Sequence, residues 1–212
     1  IVLHEHLDYN ISAKAVAQSA SRALGLLIAR CKLVGGVPFN VFSKLYDSMV
    51  WPVISYSAPI WGYKEYTCIN AVQTRAMRFF LGVGKYTPNA ALYGEMAWVP
   101  PTVRQWGCLA NYWSRLSALD NGRLNKRIAL WANQKASSSC KNWFYHVQKK
   151  FSDLNLPHFS YINITISKSF IVNNVTLCTM SEFIASWVTD VNRINAINGR
   201  GRNKLRTYRL FK

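Results

Sequence analysis

Hydrophobic positions recur at intervals of three and four along most of this chain, the spacing of helix faces rather than of strands. Ile11, Ala15, Val16, Leu24, Leu27, Ile28 and Cys31 trace one stripe and predict a helix from about Asn10 to Leu33, ended by Gly35 and Gly36. A short extended start is expected at Ile1 to Leu3. Pro38 suits the first turn of a second helix that presents Phe39, Phe42, Leu45, Tyr46 and Met49, and Pro52 should end or kink it. Val53 to Trp61, broken by Pro59, reads as a tightly packed bend. A third helix follows from about Glu65 to Leu81, with Ile69, Val72, Ala76, Met77 and Phe80 inward and Arg75 and Arg78 on one flank. Gly82 and Gly84 close it, and Thr87-Pro88 opens a short segment through Tyr93.

Val103, Trp106, Leu109, Ala110, Trp113 and Leu116 form another stripe between about Thr102 and Leu119. Leu124, Ile128 and Trp131 define a further helix, and one capped near Ser139 presents Trp143, Phe144, Val147 and Phe151. Asn155 to Ser169 is less regular and reads as a connector. The last strong pattern, around Thr179 to Ile197, puts Phe183, Ile184, Trp187, Val188, Val191 and Ile194 on one face. The fold class is therefore mainly α. The expected organisation is a helical domain over 1–120, a helical connector over 121–198 and a basic tail over 199–212.

Composition adds a polyanion to this picture. The chain of 212 residues carries 26 Lys and Arg against 9 Asp and Glu, a formal charge of +17, while half of it is hydrophobic. So basic a chain with so much apolar material is a folded protein attracted to nucleic acid, not a disordered tail. No apolar run reaches the roughly 18 residues of a membrane span, so neither a signal peptide nor an anchor can be read, and no membrane partner is expected. Ile1 rather than Met at the start suggests a segment of a longer protein. Five cysteines at 31, 68, 108, 140 and 178 are too far apart for a zinc module or a dense disulfide framework, and reduced, mostly buried thiols are expected.

The acidic residues are scattered, whereas phosphoryl transfer needs carboxylates converging on metal ions. Glu5 and Asp8 are the nearest pair and lie beside His4 and His6, a spacing better explained by a solvated terminus than by a metal site. Gly82-Val83-Gly84-Lys85 lacks the length and preceding strand of a phosphate loop. The Asn-x-Ser/Thr triplets at Asn10, Asn163 and Asn174 are expected chance matches. No catalytic residue and no metal ligand is assigned.

Phosphate contact is better supported. Arg75 and Arg78 are three apart on one predicted helix with Lys85 beyond its end, and Arg22, Arg30 and Lys32 make a second basic edge on the first helix. From Arg200 to Lys212 the chain holds six basic residues and no acidic one, with Arg202, Lys204 and Arg206 as tail candidates. Such contacts give salt-sensitive affinity without sequence readout. Tyr46, Trp51, Tyr56 and Trp61 are dense enough to stack on unpaired bases, but their apolar surroundings favour core packing, as they do for Trp98, Trp106 and Trp113.

The stretch from Lys44-Leu45-Tyr46-Asp47-Ser48-Met49-Val50-Trp51-Pro52 through Pro59-Ile60-Trp61-Gly62 resembles the region just beyond the palm of reverse transcriptases of non-LTR retrotransposons. The similar blocks continue in order with Ile69 to Gln73, Arg75, Arg78, Phe80-Leu81-Gly82-Val83, Thr87-Pro88-Asn89 and Leu92-Tyr93-Gly94-Glu95. His4 to Leu7, Asn111-Tyr112-Trp113 and Leu205 to Lys212 extend the likeness, while residues 123 to 198 match only loosely. One departure is Ala97-Trp98-Val99-Pro100-Pro101, where relatives often have Gly-Arg before a Pro-Leu pair.

The resemblance implies thumb and post-thumb material that grips an RNA and DNA template-primer while a palm elsewhere in the parent chain does the chemistry. The segment is not expected to be catalytic alone, to hold a cofactor of its own, or to bind the Mg2+ that belongs to the palm. Its partners would be template-primer and that palm domain, inside the cell in nucleus or cytoplasm. The alternative is a structural module that docks on the polymerase core or on another copy. An independent metal nuclease built on Glu5 and Asp8 is the remote third reading.

Overall fold

A computed structural model describes residues 9–154 and 168–197, and these are mainly helical with no strand among them. The predicted start at Ile1 to Leu3, most of the connector from Asn155 and the tail from Arg200 lie outside the described residues. The described chain divides into two compact units. One gathers the chain up to Tyr56, Tyr66–Pro101 and the part from Met180; the other gathers Ser57–Glu65 and Thr102–Thr179. The sequence pattern by itself places a boundary near residue 120.

The first unit is built on α1 (Tyr9–Leu33), packed against α5 (Thr67–Leu81) and the shorter α2 (Phe39–Met49) and α3 (Trp51–Ser55). Its buried seam is Ala13, Ala17, Ala20, Leu24, Leu27 and Cys31, alternating steps of four and three. The first half of the predicted stripe is thus rotated: Ile11 is exposed while Ser12 and Ala13 are buried. Small side chains let neighbouring backbone approach closely, which bulkier Ile11 and Val16 would not. Gly35 ends α1 at φ 76, and the amides of Gly35 and Gly36 bond back to the carbonyls of Lys32 and Cys31 at 3.2 and 2.8 Å. Pro38 caps α2 rather than sitting within it. The helix ends at Met49 ahead of Pro52, which sits in the first turn of α3; Val50 between the two keeps helical angles, and its carbonyl accepts from the Ile54 amide at 3.3 Å.

Aromatic rings fill this unit. Phe42 stacks on Phe80 at 5.0 Å, and the Trp98 ring lies 4.6 Å from that of Tyr46. Tyr46 is buried as expected and Trp51 half-buried, but Tyr56 is exposed. The short α6 (Asn89–Met96) ends on Ala97, whose φ of 50 is a left-handed conformation that a side chain disfavours. The later part of α10 (Lys168–Ile197) belongs here too: Trp187 donates its Nε1–H to the Ala90 carbonyl at 2.7 Å, and Phe183 meets Tyr93 edge-on.

The second unit centres on α7 (Pro101–Ser117). All six members of its predicted stripe, from Val103 to Leu116, are buried, with Trp113 edge-on to Phe151 at 4.8 Å. The short α4 (Ala58–Trp61) places Trp61 fully inside. In α9 (Trp143–Asp153) Phe144, Val147 and Phe151 are buried, and the cap is Asn142, which accepts from the Tyr145 amide, rather than Ser139. Ser137 and Cys140 instead close a separate turn. The first part of α10 adds Ile171, Val175 and Thr179, so this helix begins well before the predicted Thr179.

In α8 (Leu124–Lys135) the predicted apolar stripe faces outward: Leu124, Ile128 and Trp131 are 66, 53 and 62% exposed. The buried residues are Lys126 and Ala129. Lys126 donates from Nζ to the Ser117 carbonyl at 2.6 Å, meeting an orphan acceptor in the last turn of α7. Asn133 bonds to Gln148 of α9, and the Ala132 carbonyl accepts from Asn142 at 2.7 Å. Polar bonds, together with a small residue at the close approach, set the rotation of α8.

Candidate nucleic-acid interface

Helix α5 ends in a structure that the sequence encodes locally. Gly82 takes φ 64, and the amides of Gly82 and Val83 return to the carbonyls of Phe79 and Arg78 at 3.3 and 3.1 Å. A tight turn follows, closed by the Thr87 amide on the Gly84 carbonyl, and Pro88 leads into α6. Arg78 braces this loop: its Nη2 donates to the Thr87 carbonyl at 3.1 Å and to Asn89 Oδ1 at 2.7 Å. Its guanidinium is therefore engaged within the fold, which suits a positioning role.

The braced loop projects Lys85 and Tyr86. The Lys85 ammonium stands 5.0 Å from the centre of the Tyr86 ring, and Tyr86 is 87% exposed. A cation held on a ring this open can meet a phosphate on one side and offer a face for stacking on the other. Arg75, three residues before Arg78, is exposed on the same helix. Arg75 and Arg78 thus lie on α5 and Lys85 on the loop beyond it, and of the three Arg75 and Lys85 are open to solvent.

The other predicted edge lies on α1. Arg22 is exposed and donates to Ser19 Oγ at 3.2 Å, and Arg30 and Lys32 are exposed in the last turn. There the carbonyl end of the helix favours cations even without a ligand. Because α1 packs on α5, both edges belong to the same compact unit. Arg202, Lys204 and Arg206 lie outside the described residues.

The second unit contains a basic cluster that the sequence reading passed over. His146 stacks on Tyr63 at 4.7 Å, with the Lys64 ammonium 5.4 Å from the Tyr63 ring centre. Burial holds the imidazole below its usual pKa, and the positive charges of Lys64, Lys141 and Lys149 lower it further, against an opposing hydrogen bond to the Lys141 backbone. Lys141 and Lys149 belong to the segment that leads into and forms α9, while Lys64 comes from the turn after α4. Only His146 and Lys149 share a helical spacing that could have drawn attention to them.

No family model, curated protein or solved structure matches this chain. Among the described residues no group of three His, Cys, Asp or Glu side chains is placed to hold a metal, and Glu5, Asp8, His4 and His6 lie outside them. All five thiols are free; Cys31 is buried and Cys140 exposed, with the other three in between. No described helix is long and apolar enough to cross a membrane.

Proposed function

We propose that this chain is a non-catalytic, template-primer-contacting segment of an RNA-directed DNA polymerase from a non-LTR retrotransposon. The observation that carries the reading is the braced end of α5, where Lys85 and Tyr86 stand open on a loop fixed by Arg78 and Arg75 is exposed on the helix before it. Cations on a preorganised loop lose less freedom on meeting phosphate than the same cations on a floppy one. The work of the segment is positioning: it neutralises backbone charge and holds the duplex, while a palm in the parent chain, with its Mg2+, transfers nucleotides.

Two details at Ala97 and Trp98 bear on the family resemblance. Ala97 stands where relatives often have Gly, and its backbone is in the left-handed region that Gly favours. Trp98 stands where they often have Arg, and its ring packs on Tyr46 and Phe42, so this position is used for packing here. The loop after α6 is accordingly left out of the proposed contact surface.

The test is equilibrium binding of the whole chain to an RNA-DNA hybrid across a salt series, beside an unrelated helical protein of matched charge. Tighter binding than the matched protein, falling steeply with salt, is expected. Affinity no greater than that of the matched protein at low salt would sink the proposal.

A further inference from the structure

Leu124 and Ile128 of the outward stripe of α8 line a groove within the second unit. Two adjoining cavities of about 270 and 460 Å³ share Tyr112, Leu116 and Asn125. The smaller is floored by Leu116, Ala129 and Phe144 and walled by Ile128 and Trp143; the larger continues past Leu124 to Arg115 and Arg123. We infer that this groove between α7 and α8 is a docking site for an acidic amphipathic helix of a partner protein.

Three observations select that occupant. Leu124, Ile128 and Trp131 lie at spacings of four and three on one face, spanning about 10 Å, or two helical turns. A facing helix with apolar residues at i, i+3 or i+4, and i+7 fits that length. Second, neither α7 nor α8 contains an acidic residue, while Arg115, Arg123 and Arg127 are exposed on them or at their junction. Asp120, in the turn between them, is occupied with the Gly122 amide at 2.8 Å. An acidic partner is favoured and a basic one repelled.

Third, the other occupants fit less well. A second copy would bring another +17 charge to a basic rim. A nucleic-acid strand wants cations along its whole path, whereas here they gather at one end of a trough whose other end is mostly apolar. This inference is independent of the template-primer reading, whose residues lie in the first unit.

The experiment uses the full chain and a labelled probe peptide about 18 residues long, with leucines at the i, i+3, i+7 positions and glutamates elsewhere. A peptide of the same composition with the leucines dispersed is the control, and oligodeoxythymidylate is the nucleic-acid arm. The patterned peptide is expected to bind about tenfold or more tighter than its control. Ile128→Asp, at an exposed position, should weaken it about tenfold with the helical circular dichroism and the hybrid affinity unchanged. Joint replacement Arg115→Glu and Arg123→Glu should weaken it and flatten its salt dependence.

Equal binding of the two peptides, or indifference to Ile128→Asp, would overturn the inference. So would oligodeoxythymidylate binding that Ile128→Asp and Trp131→Ala abolish while the peptide fails to bind. Dimerisation lost on Ile128→Asp would overturn it in favour of a second copy.

Discussion

Helices α7 and α8 carry apolar stripes of the same periodicity, yet one is buried along its whole length and the other stands in solvent. The α7 stripe holds two tryptophans and is met by rings and branched side chains from α9 and the first part of α10. The inner face of α8 is instead Lys126 and Ala129, backed by the Asn133–Gln148 bond. Periodicity identifies a helix in both cases, but it does not choose the face. That choice falls to whichever side satisfies an otherwise orphaned polar group at a close approach, and the remaining apolar side is left for something else.

The contrast can be broken most forcefully at its two tryptophans. Trp113→Ala should lower unfolding free energy in urea by about 3–5 kcal/mol, because it opens a cavity against Phe151. Trp131→Ala, on a stripe of the same periodicity but exposed, should stay within about 0.5 kcal/mol. Comparable losses would mean that the α8 stripe is buried in solution.

Lys126→Met probes what sets the rotation of α8, and a loss of about 1–2 kcal/mol at neutral pH is expected as the Ser117 carbonyl loses its donor. Burial holds the Lys126 pKa below its ordinary 10.5 in the folded state. Between that lowered value and 10.5 the unfolded chain binds more protons, so stability from this group rises with pH through that window. The Met variant should lack this alkaline rise; an unchanged pH profile would show that Lys126 is not buried as described.

A smaller effect separates the left-handed caps at Gly35 and Gly82 from the one at Ala97. Ala97→Gly should raise stability by about 1 kcal/mol, since it relieves the clash of a Cβ at φ 50. A loss of stability would place Ala97 in another conformation.

Much of this was legible in the chain. The mainly α class, the stripe of α7, the Gly stops of α1 and α5 and the inward face of α5 all follow from periodicity and local caps. The α1 seam was harder because it runs through Ala13, Ala17 and Ala20, and larger Ile11 and Val16 draw the eye to the wrong phase. The early start of α10 was hidden by Asn173, Asn174 and Thr176, residues of modest helix propensity. Of the candidate interface, Arg75 and Lys85 were named from spacing alone, but the bracing by Arg78 depends on a loop geometry that spacing does not encode. Lys141, His146 and Lys149 are neighbours in sequence, but only the fold brings Tyr63 and Lys64 to them.

Nucleic-acid phosphates are the proposed partners of the open cations Arg75 on α5 and Lys85 beyond it. The most direct test of that contact is the slope of log affinity against log salt for an RNA-DNA hybrid, compared between the parent chain and the joint variant Arg75→Gln and Lys85→Gln. Two lost phosphate contacts should reduce the magnitude of that slope by about 2 while the helical fold is retained. An unchanged slope and affinity would contradict the account.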